Sequence, residues 1–336
     1  MNKYKIALLS GDGVSAELIE SASLVLQAAA KSGSFELQFH TYPYGKKAYD
    51  QCGEACPADT LAGIQSSAAA LLGAVCVKGI PSPSPIGFLR KELNLFADVR
   101  PVRSFPGVWS LRPDIDMVCI RETTEGFIAD RNLYKGYGEF MPNEDQVLSL
   151  RVISRQACER IAKFAFEYAR KNNRKKITAL HKANVLKMGC GLFLESVQKI
   201  AAGYPDIELC DESVDSAAGG LIRNPENYDV LLTTNLFGDI LSDEAAGLVS
   251  SLVPTGNFGT STPMFMPIDH SPQYSQERKG TINPLGIILC ASMLLEHLGE
   301  LTASNSVKRA IAEHLKAVAL ASLSTDEIAR DICERL

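Results

Sequence analysis

The chain has 336 residues, of which 46% are hydrophobic and 22% are charged, proportions that are ordinary for a folded globular protein. This length is enough for two domains with a large core. A net charge of −5 and the lack of a long basic run argue against a nucleic-acid partner. No uninterrupted apolar stretch reaches about 18 residues, so we expect no membrane span and no membrane partner.

The N-terminal residues and the cysteines together predict a cytoplasmic protein. Residues 1–9 run directly into a strand-like segment without the small-residue cleavage site of a signal peptide. The nine cysteines are scattered, and the one close pair, Cys52 and Cys56, has no second pair or histidine cluster beside it. Reduced thiols therefore fit better than disulfides or zinc.

The first part of the chain alternates between strand-like and helix-like segments. Residues 4–9 predict a strand, a helix follows from Ser15, residues 68–72 predict the end of a helix, and residues 73–77 predict a strand. Such alternation predicts a parallel sheet covered on both faces. The Gly-Asp-Gly turn at residues 11–13 can present backbone amides to an anion, although any tight strand-to-helix turn uses glycine.

Arginines mark the ends of the next segments. Residues 81–90 predict a proline-rich loop, and residues 91–101 predict an amphipathic helix that runs into a strand. Arg90 and Arg100 flank the second segment, and Arg121 follows a further predicted strand. Arginine offers a planar fork that binds carboxylates, although surface arginines also snorkel over helices without binding anything.

Later strand ends carry a lysine and several acids. Residues 177–180 predict a strand, and Lys182 follows it. A lysine at a strand end inside a cleft can serve as a base, whereas outside a cleft it is an ordinary exposed loop residue. The apolar run 228–234 predicts a buried strand, and residues 235–238 predict a turn at its carboxyl end, where open α/β sheets place their sites.

An alanine-rich helix is predicted after that turn, and it carries Asp239 and Asp243. Because the two acids are four residues apart, they share one helical face. They can hold a hard divalent cation, or they can merely suit the positive end of the helix dipole. The spacing alone leaves both interpretations open.

Together these motifs resemble the β-decarboxylating dehydrogenases, the family of isocitrate, 3-isopropylmalate, homoisocitrate and tartrate dehydrogenases. The likeness covers nearly the whole chain and is most specific at residues 89–90 with 100–101, 121–126, 181–187 and 235–243. It implies an α/β, two-domain isopropylmalate/isocitrate dehydrogenase-like fold, which is not a Rossmann fold, with a dimer-forming arm.

The resemblance also implies a domain division and an activity. Residues 1–99 plus 247–336 would form the cofactor-side domain, and residues 100–246 would form the substrate, metal and dimerisation domain, with the arm at about 131–153. The implied reaction is metal-dependent, NAD(P)-linked oxidative decarboxylation of a 3-substituted malate. The active site would be shared between two copies, so a homodimer is implied.

The resemblance implies roles for individual residues. The substrate carboxylates would be clamped by Arg90, Arg100 and Arg121, with Ser84 close to the variable substituent. Lys182 and Asp215, both from the second subunit, would be catalytic, and Lys182 would take the proton of the substrate hydroxyl. Mg²⁺ or Mn²⁺ would be held by Asp215, Asp239 and Asp243. The residues that would bind NAD or NADP are Asn184, His270, Tyr274 and Asn283.

Three departures from the family pattern surround the cofactor and the proton donor. Ile128 occupies the position of the usual proton-donating tyrosine, and Tyr134 or Tyr137 would have to replace it. The adenosine loop at 266–274 lacks a clear ribose-binding aspartate, and its end faintly resembles the NADP form. The segment 250–257 is about two residues shorter than the family pattern.

These departures leave alternatives open. The first is a working dehydrogenase, and the second is an impaired member that acts as a substrate-binding or regulatory partner subunit. A third is a lyase that uses only metal and base. Ile86 and Phe88 hint at a partly apolar substituent, but an apolar pocket discriminates by only about 1–3 kcal/mol per methylene.

Overall fold

The computed structural model describes residues 2–80, 84–127, 138–268, 280–317 and 323–336. The elements up to residue 149 are β1 (Asn2–Leu9), α1 (Ser15–Ser32), β2 (Phe35–Tyr42), α2 (Lys46–Cys52), α3 (Ala58–Gln65), β3 (Ala69–Leu72), α4 (Pro85–Glu92), β4 (Leu95–Arg103), β5 (Asp116–Glu122), β6 (Glu139–Asn143) and β7 (Gln146–Ser149). The later elements are α5 (Arg155–Lys171), β8 (Lys176–His181), α6 (Lys187–Ala201), β9 (Glu208–Ser213), α7 (Val214–Arg223), β10 (Val230–Thr233), α8 (Asn235–Gly247), β11 (Pro254–Gly259), β12 (Met264–Pro267), α9 (Leu285–His297), α10 (Leu301–Ala317) and α11 (Thr325–Glu334).

The chain divides into two compact units. The first consists of Met1–Leu93, Phe105–Pro113 and Val249–Leu336, and the second consists of Asn94–Ser104 and Asp114–Leu248. The chain thus passes between the units more than once, because each unit is assembled from separated segments.

The first unit is built on strands in the order β2-β1-β3-β12-β11. β1 runs parallel to β2 and β3, β12 runs parallel to β3, and β11 runs antiparallel to β12. The four residues of β3 are all fully buried, as expected for a short strand covered on both faces. Helix α9 packs on β3, β11 and β12 and buries almost every residue, so it forms the centre of this unit's core.

The second unit has strands in the order β4-β5-β10-β8-β9. β5, β10, β8 and β9 are parallel, whereas β4 is antiparallel to β5. The register pairs Thr233 with Arg121 on one side and with Leu180 on the other, and His181 with Ser213. The carboxyl ends of the four parallel strands are therefore level, and the residues that follow them lie along one edge of the sheet.

A separate two-stranded antiparallel hairpin is formed by β6 and β7. All nine of its strand residues are exposed, including the apolar side chains of Phe140, Met141, Val147 and Leu148. Of the strand predicted at 147–153, only residues 147–149 belong to β7, and Val152 forms an isolated bridge with Gly126. A two-stranded hairpin is only marginally stable alone in water.

Several local predictions are wrong. Residues 69–72 form β3 and residues 73–77 have no regular structure, because the periodicity of a short apolar run cannot distinguish a buried strand from a helix. Residues 85–90, predicted as part of a loop, form most of helix α4, since Pro85 suits the first position of a helix, and this helix ends at Glu92. Residues 235–238 form the first turn of α8 rather than a separate turn. The sheet is mixed, because each unit contains an antiparallel pair.

All nine cysteines are free, and none forms a disulfide. Within the described ranges, no helix is both long enough and apolar enough to cross a bilayer.

Candidate active site

Arg100, on β4, is buried beside three acids of the second unit. Its Nε and Nη2 donate to the two carboxylate oxygens of Asp98 at 3.3 and 3.2 Å, and its Nη1 donates to Ser242 Oγ and Asp243 Oδ1 at 2.7 Å. Burial by itself lowers the pKa of Arg100, but Asp98, and to a lesser degree Asp243 and Asp239, raise it above its ordinary value. The guanidinium therefore stays charged although only 3% of it is exposed.

Arg121, at the end of β5, is held in a similar way. Its Nε and Nη2 donate to Asn235 Oδ1 at 3.0 and 2.6 Å, and its Nη1 pairs with Asp239. Asn235 in turn donates from Nδ2 to the carbonyl of Glu125 at 2.8 Å, which fixes the orientation of its amide. A Cβ at Gly238 would lie 2.7 Å from Arg121 Cγ, so only glycine lets this arginine lie against α8.

The two acids of α8 are the exposed part of this cluster. The side chains of Asp239 and Asp243 are 48% and 68% exposed, and each is paired with a buried arginine. Their carboxylates are hard oxygen ligands of the kind that Mg²⁺ and Mn²⁺ prefer. Among the described residues no group of three or more potential metal ligands is gathered in one place. The donor chemistry thus fits a hard cation, provided that a further ligand comes from outside this cluster.

Lys182 and Asp215 form a second cluster at the same edge of the sheet. Lys182 follows β8, Asp215 lies in the first turn of α7, and their side chains form an ion pair. The hydrogen bond from Lys182 lowers the pKa of the Asp215 carboxyl. The backbone N–H of Lys182 donates to Cys190 Sγ at 3.4 Å, and the preceding His181 pairs through Nε2 with Asp211 at 3.1 Å. Lys182, the predicted base, and Asp215, a predicted metal ligand, are therefore adjacent within one chain.

Over residues 5–334 the chain matches the family model described as isocitrate/isopropylmalate dehydrogenase. The chain belongs to this family. It is 40% identical over 314 residues to the 3-isopropylmalate dehydrogenase of Archaeoglobus fulgidus, covering 93% of this chain and 91% of that protein. It is 38% identical over 314 residues to the isocitrate/homoisocitrate dehydrogenase of Thermus thermophilus, covering 92% and 90%.

A solved structure supports the same assignment. The crystal structure of isocitrate dehydrogenase from Methylococcus capsulatus matches with a TM-score of 0.89 and 36% identity, covering 99% of each chain. The predicted family and fold class are therefore confirmed. This family member is an oxidoreductase of the isocitrate/isopropylmalate dehydrogenase type.

In the first unit of this dehydrogenase, Arg90 lies on α4 and is 8% exposed. Its Nε donates to Asn257 Oδ1 at 2.7 Å, and Asn257 is completely buried. Ser84 accepts the N–H of Gly87 at 3.1 Å and so caps the start of α4. Its hydroxyl thus has a structural role that is independent of the predicted contact with substrate.

Some of the predicted cofactor and proton-donor residues lie within the described ranges. Asn184 and Asn283 are exposed, and Asn283 Oδ1 accepts the N–H of Leu285 at the start of α9 at 3.0 Å. The others fall outside the described residues, namely His270, Tyr274, Ile128, Tyr134 and Tyr137.

The Gly-Asp-Gly turn has a clear structural role. Asp12 accepts backbone N–H groups from Lys46, Lys47 and Cys76 at 2.8 to 3.0 Å. The aspartate thus joins three segments of the first unit, and its carboxylate satisfies amides that would otherwise need another acceptor.

Sequence reasoning missed Arg151, which lies at the base of the hairpin. Its guanidinium is 5.9 and 5.5 Å from the ring centroids of Phe127 and Phe237, and its Nη2 is 3.5 Å from Cys190 Sγ and from Thr234 Oγ1. It therefore connects the segment after the hairpin to Cys190 on α6 and to the start of α8. These contacts have no local sequence signal, because the partners are far apart along the chain.

Proposed function

We propose that this chain catalyses metal-dependent, NAD(P)-linked oxidative decarboxylation of a 3-substituted malate such as isocitrate or 3-isopropylmalate. The observation that carries the proposal is the pairing of two buried arginines, Arg100 and Arg121, with two exposed acids, Asp239 and Asp243. Relatives named 3-isopropylmalate dehydrogenase and isocitrate/homoisocitrate dehydrogenase support the same chemistry.

The arginines would bind the carboxylates of the substrate. Arg100 and Arg121 are charged and held rigidly, and Nη1 of each faces an exposed acid rather than the core. Charge-assisted pairs with a carboxylate are among the stronger hydrogen bonds, and a fixed arginine loses little entropy on binding. Arg90 would be the third arginine, and Ser84 would stand near the variable substituent.

Asp239 and Asp243, with Asp215 from a second subunit, would hold Mg²⁺ or Mn²⁺. Asn184, Asn283, His270 and Tyr274 would contact NAD or NADP. When bound, the cation supplies a Lewis acid and the nicotinamide supplies the hydride acceptor.

Lys182 would be the base that takes the proton of the substrate hydroxyl. In this structure Lys182 Nζ forms an ion pair with the carboxylate of Asp215. Engagement of Asp215 with a cation would release Lys182 Nζ to contact the substrate hydroxyl.

A homodimer with a shared site accounts for the exposed hairpin. In the family pattern Lys182 and Asp215 act on the substrate of the other subunit, and the arm contributes to the interface. The exposed apolar residues of β6 and β7 suit burial against a second copy.

A panel of 3-substituted malates, assayed with NAD and with NADP in the presence of Mn²⁺, tests the proposal. We expect reduction of one nicotinamide cofactor together with release of one CO₂ for each turnover. If the chain binds a substituted malate and Mn²⁺ but reduces neither cofactor, it is instead a substrate-binding partner subunit. Reaction with metal but without a nicotinamide would favour the lyase.

A further inference from the structure

Each of the three arginines is held at Nε by a buried side-chain oxygen. The pairs are Asp98 with Arg100, Asn235 with Arg121, and Asn257 with Arg90. All three acceptors are at most 1% exposed. One acceptor differs from the others in chemistry, because Asp98 is a carboxylate whereas the other two are neutral amides.

In Arg100 and Arg121 the guanidinium contacts two different kinds of partner. Nε and Nη2 bind a buried acceptor, whereas Nη1 faces an exposed acid. Arg100 uses Nε and Nη2 on Asp98, and Arg121 uses the same two atoms on Asn235. In both arginines Nη1 is directed to an exposed acid of α8, Asp243 or Asp239. Arg100 Nη1 also donates to Ser242 Oγ at 2.7 Å. On the proposed function the two acids would turn to a cation, and Nη1 of each arginine would then donate to a substrate carboxylate.

Asp98 therefore lowers the net charge of the arginine pair, and it would still do so once those acids are engaged. Arg100 and Arg121 contribute two positive charges, and Asp98, which lies 3.2 Å from Arg100 Nη2 and 3.9 Å from Arg121 Nη1, removes one. With a neutral acceptor, as at Asn235, the pair would keep both charges. Buried charges are screened weakly, so an anion bound to these arginines senses the difference.

We propose that Asp98 is a specificity-determining residue that disfavours substrates with a third carboxylate. By lowering the net charge of the arginine pair, it favours a 3-substituted malate with an uncharged substituent, which carries two carboxylates. The inference rests on the proposed function for its substrate class. It assigns Asp98 a role through Arg100 and Arg121 rather than through contact with substrate.

The test compares Asp98→Asn with the wild type, because asparagine keeps the shape of the side chain and one acceptor oxygen. The readout is kcat/KM for isocitrate, with three carboxylates, divided by kcat/KM for 3-isopropylmalate, with two. We expect this ratio to rise by about tenfold, mainly through the KM for isocitrate, because the charge of the arginine pair would increase by one. A fall of both values with an unchanged ratio would show a merely structural role and would overturn the inference.

Two further variants keep the test decisive. Asn235→Asp places a carboxylate on Arg121 at the matching position, and we expect the ratio to fall, so the inference stays testable if Asp98→Asn does not fold. Asp116→Asn removes an acid that pairs with Arg103 and Arg174 elsewhere in the second unit, and it should leave the ratio unchanged. An equal rise in that control would refute a specific role for Asp98.

A binding measurement separates failure of this inference from failure of the proposed function. Calorimetry with Mn²⁺ would compare tricarballylate, with three carboxylates, and succinate, with two, neither of which has a hydroxyl to oxidise. We expect Asp98→Asn to improve binding of tricarballylate relative to succinate even if the wild type turns over no substituted malate. Unchanged relative binding would refute the role of Asp98 whatever the activity of the chain.

Discussion

Asp239 and Asp243 are the residues at which the metal prediction can be tested directly. Each is an exposed acid that pairs with a buried arginine. We expect Asp239→Asn and Asp243→Asn each to weaken Mn²⁺ binding by at least about tenfold, because each removes a hard anionic ligand. Isothermal titration calorimetry measures this change.

The matched control is Glu244→Gln, which removes the neighbouring acid of the same helix. Partial burial raises the pKa of Glu244, and within the described residues its carboxylate forms no ion pair with Arg100 or Arg121. Its substitution should leave Mn²⁺ affinity unchanged. Equal affinities in all three variants would mean that the cation binds elsewhere.

Ile128 is the residue at which the chemistry departs from the family pattern. An isoleucine cannot donate a proton, so protonation of the decarboxylated product would limit turnover unless another group donates. We therefore expect Ile128→Tyr to raise kcat, within the roughly 10²–10⁴-fold range of general acids. If Tyr134 or Tyr137 donates the proton instead, Ile128→Tyr will change kcat little. Tyr134→Phe or Tyr137→Phe will then lower kcat.

Among the connecting segments, the one between α8 and β11 carries backbone strain. Ser250 and Ser251 have φ values of 56° and 57°, in the left-handed region that costs a non-glycine residue roughly 1–2 kcal/mol. We expect Ser251→Gly to raise the free energy of unfolding by about 1 kcal/mol, as measured by urea denaturation. Ser250 is a poorer choice, because its Oγ donates to the carbonyl of Trp109 at 2.6 Å.

Asn173→Gly is the control for this prediction. Asn173 has a φ of 56°, but asparagine tolerates the left-handed region better than serine does. Its substitution should stabilise the protein less than Ser251→Gly. A lower free energy of unfolding in Ser251→Gly would contradict the prediction. It would show that the serine side chain stabilises the protein by more than its positive φ costs.

At the scale of the whole molecule, a shared active site predicts complementation between inactive subunits. Lys182→Met and Arg121→Ala should each abolish activity as homodimers. In a hybrid dimer, one of the two sites would receive an intact lysine from one chain and an intact arginine from the other. Mixing the variants under conditions of subunit exchange should therefore restore part of the activity, measured by reduction of the nicotinamide cofactor.

Mass spectrometry of differently tagged subunits provides the control, because it shows whether hybrids have formed. Activity that stays absent after confirmed exchange would argue that each chain builds its site alone. Mixing Lys182→Met with itself, differently tagged, should give no activity and sets the background.

The sequence by itself was enough to identify the family and the elements on which the site is built. Strand ends can be found from apolar runs, and the carboxyl ends of parallel strands meet at one edge, so Arg121, Lys182 and Asp239 could be assigned to the same region. Element boundaries were less secure. The sequence predicts a turn at residues 235–238, where the first turn of α8 lies, because a glycine and an asparagine near a helix start resemble turn residues.

Only the tertiary structure decided which side chains hold the arginines. Arg121 and Asn235 are 114 residues apart in the chain, and Arg90 and Asn257 are 167 apart, so no local pattern connects them. Asp98 is two residues from Arg100, yet on a strand it could equally have been a solvated acid. Its burial and its charge become meaningful only when folding brings β4, β5 and α8 together, because a carboxylate withdrawn from water must be compensated by the cations beside it.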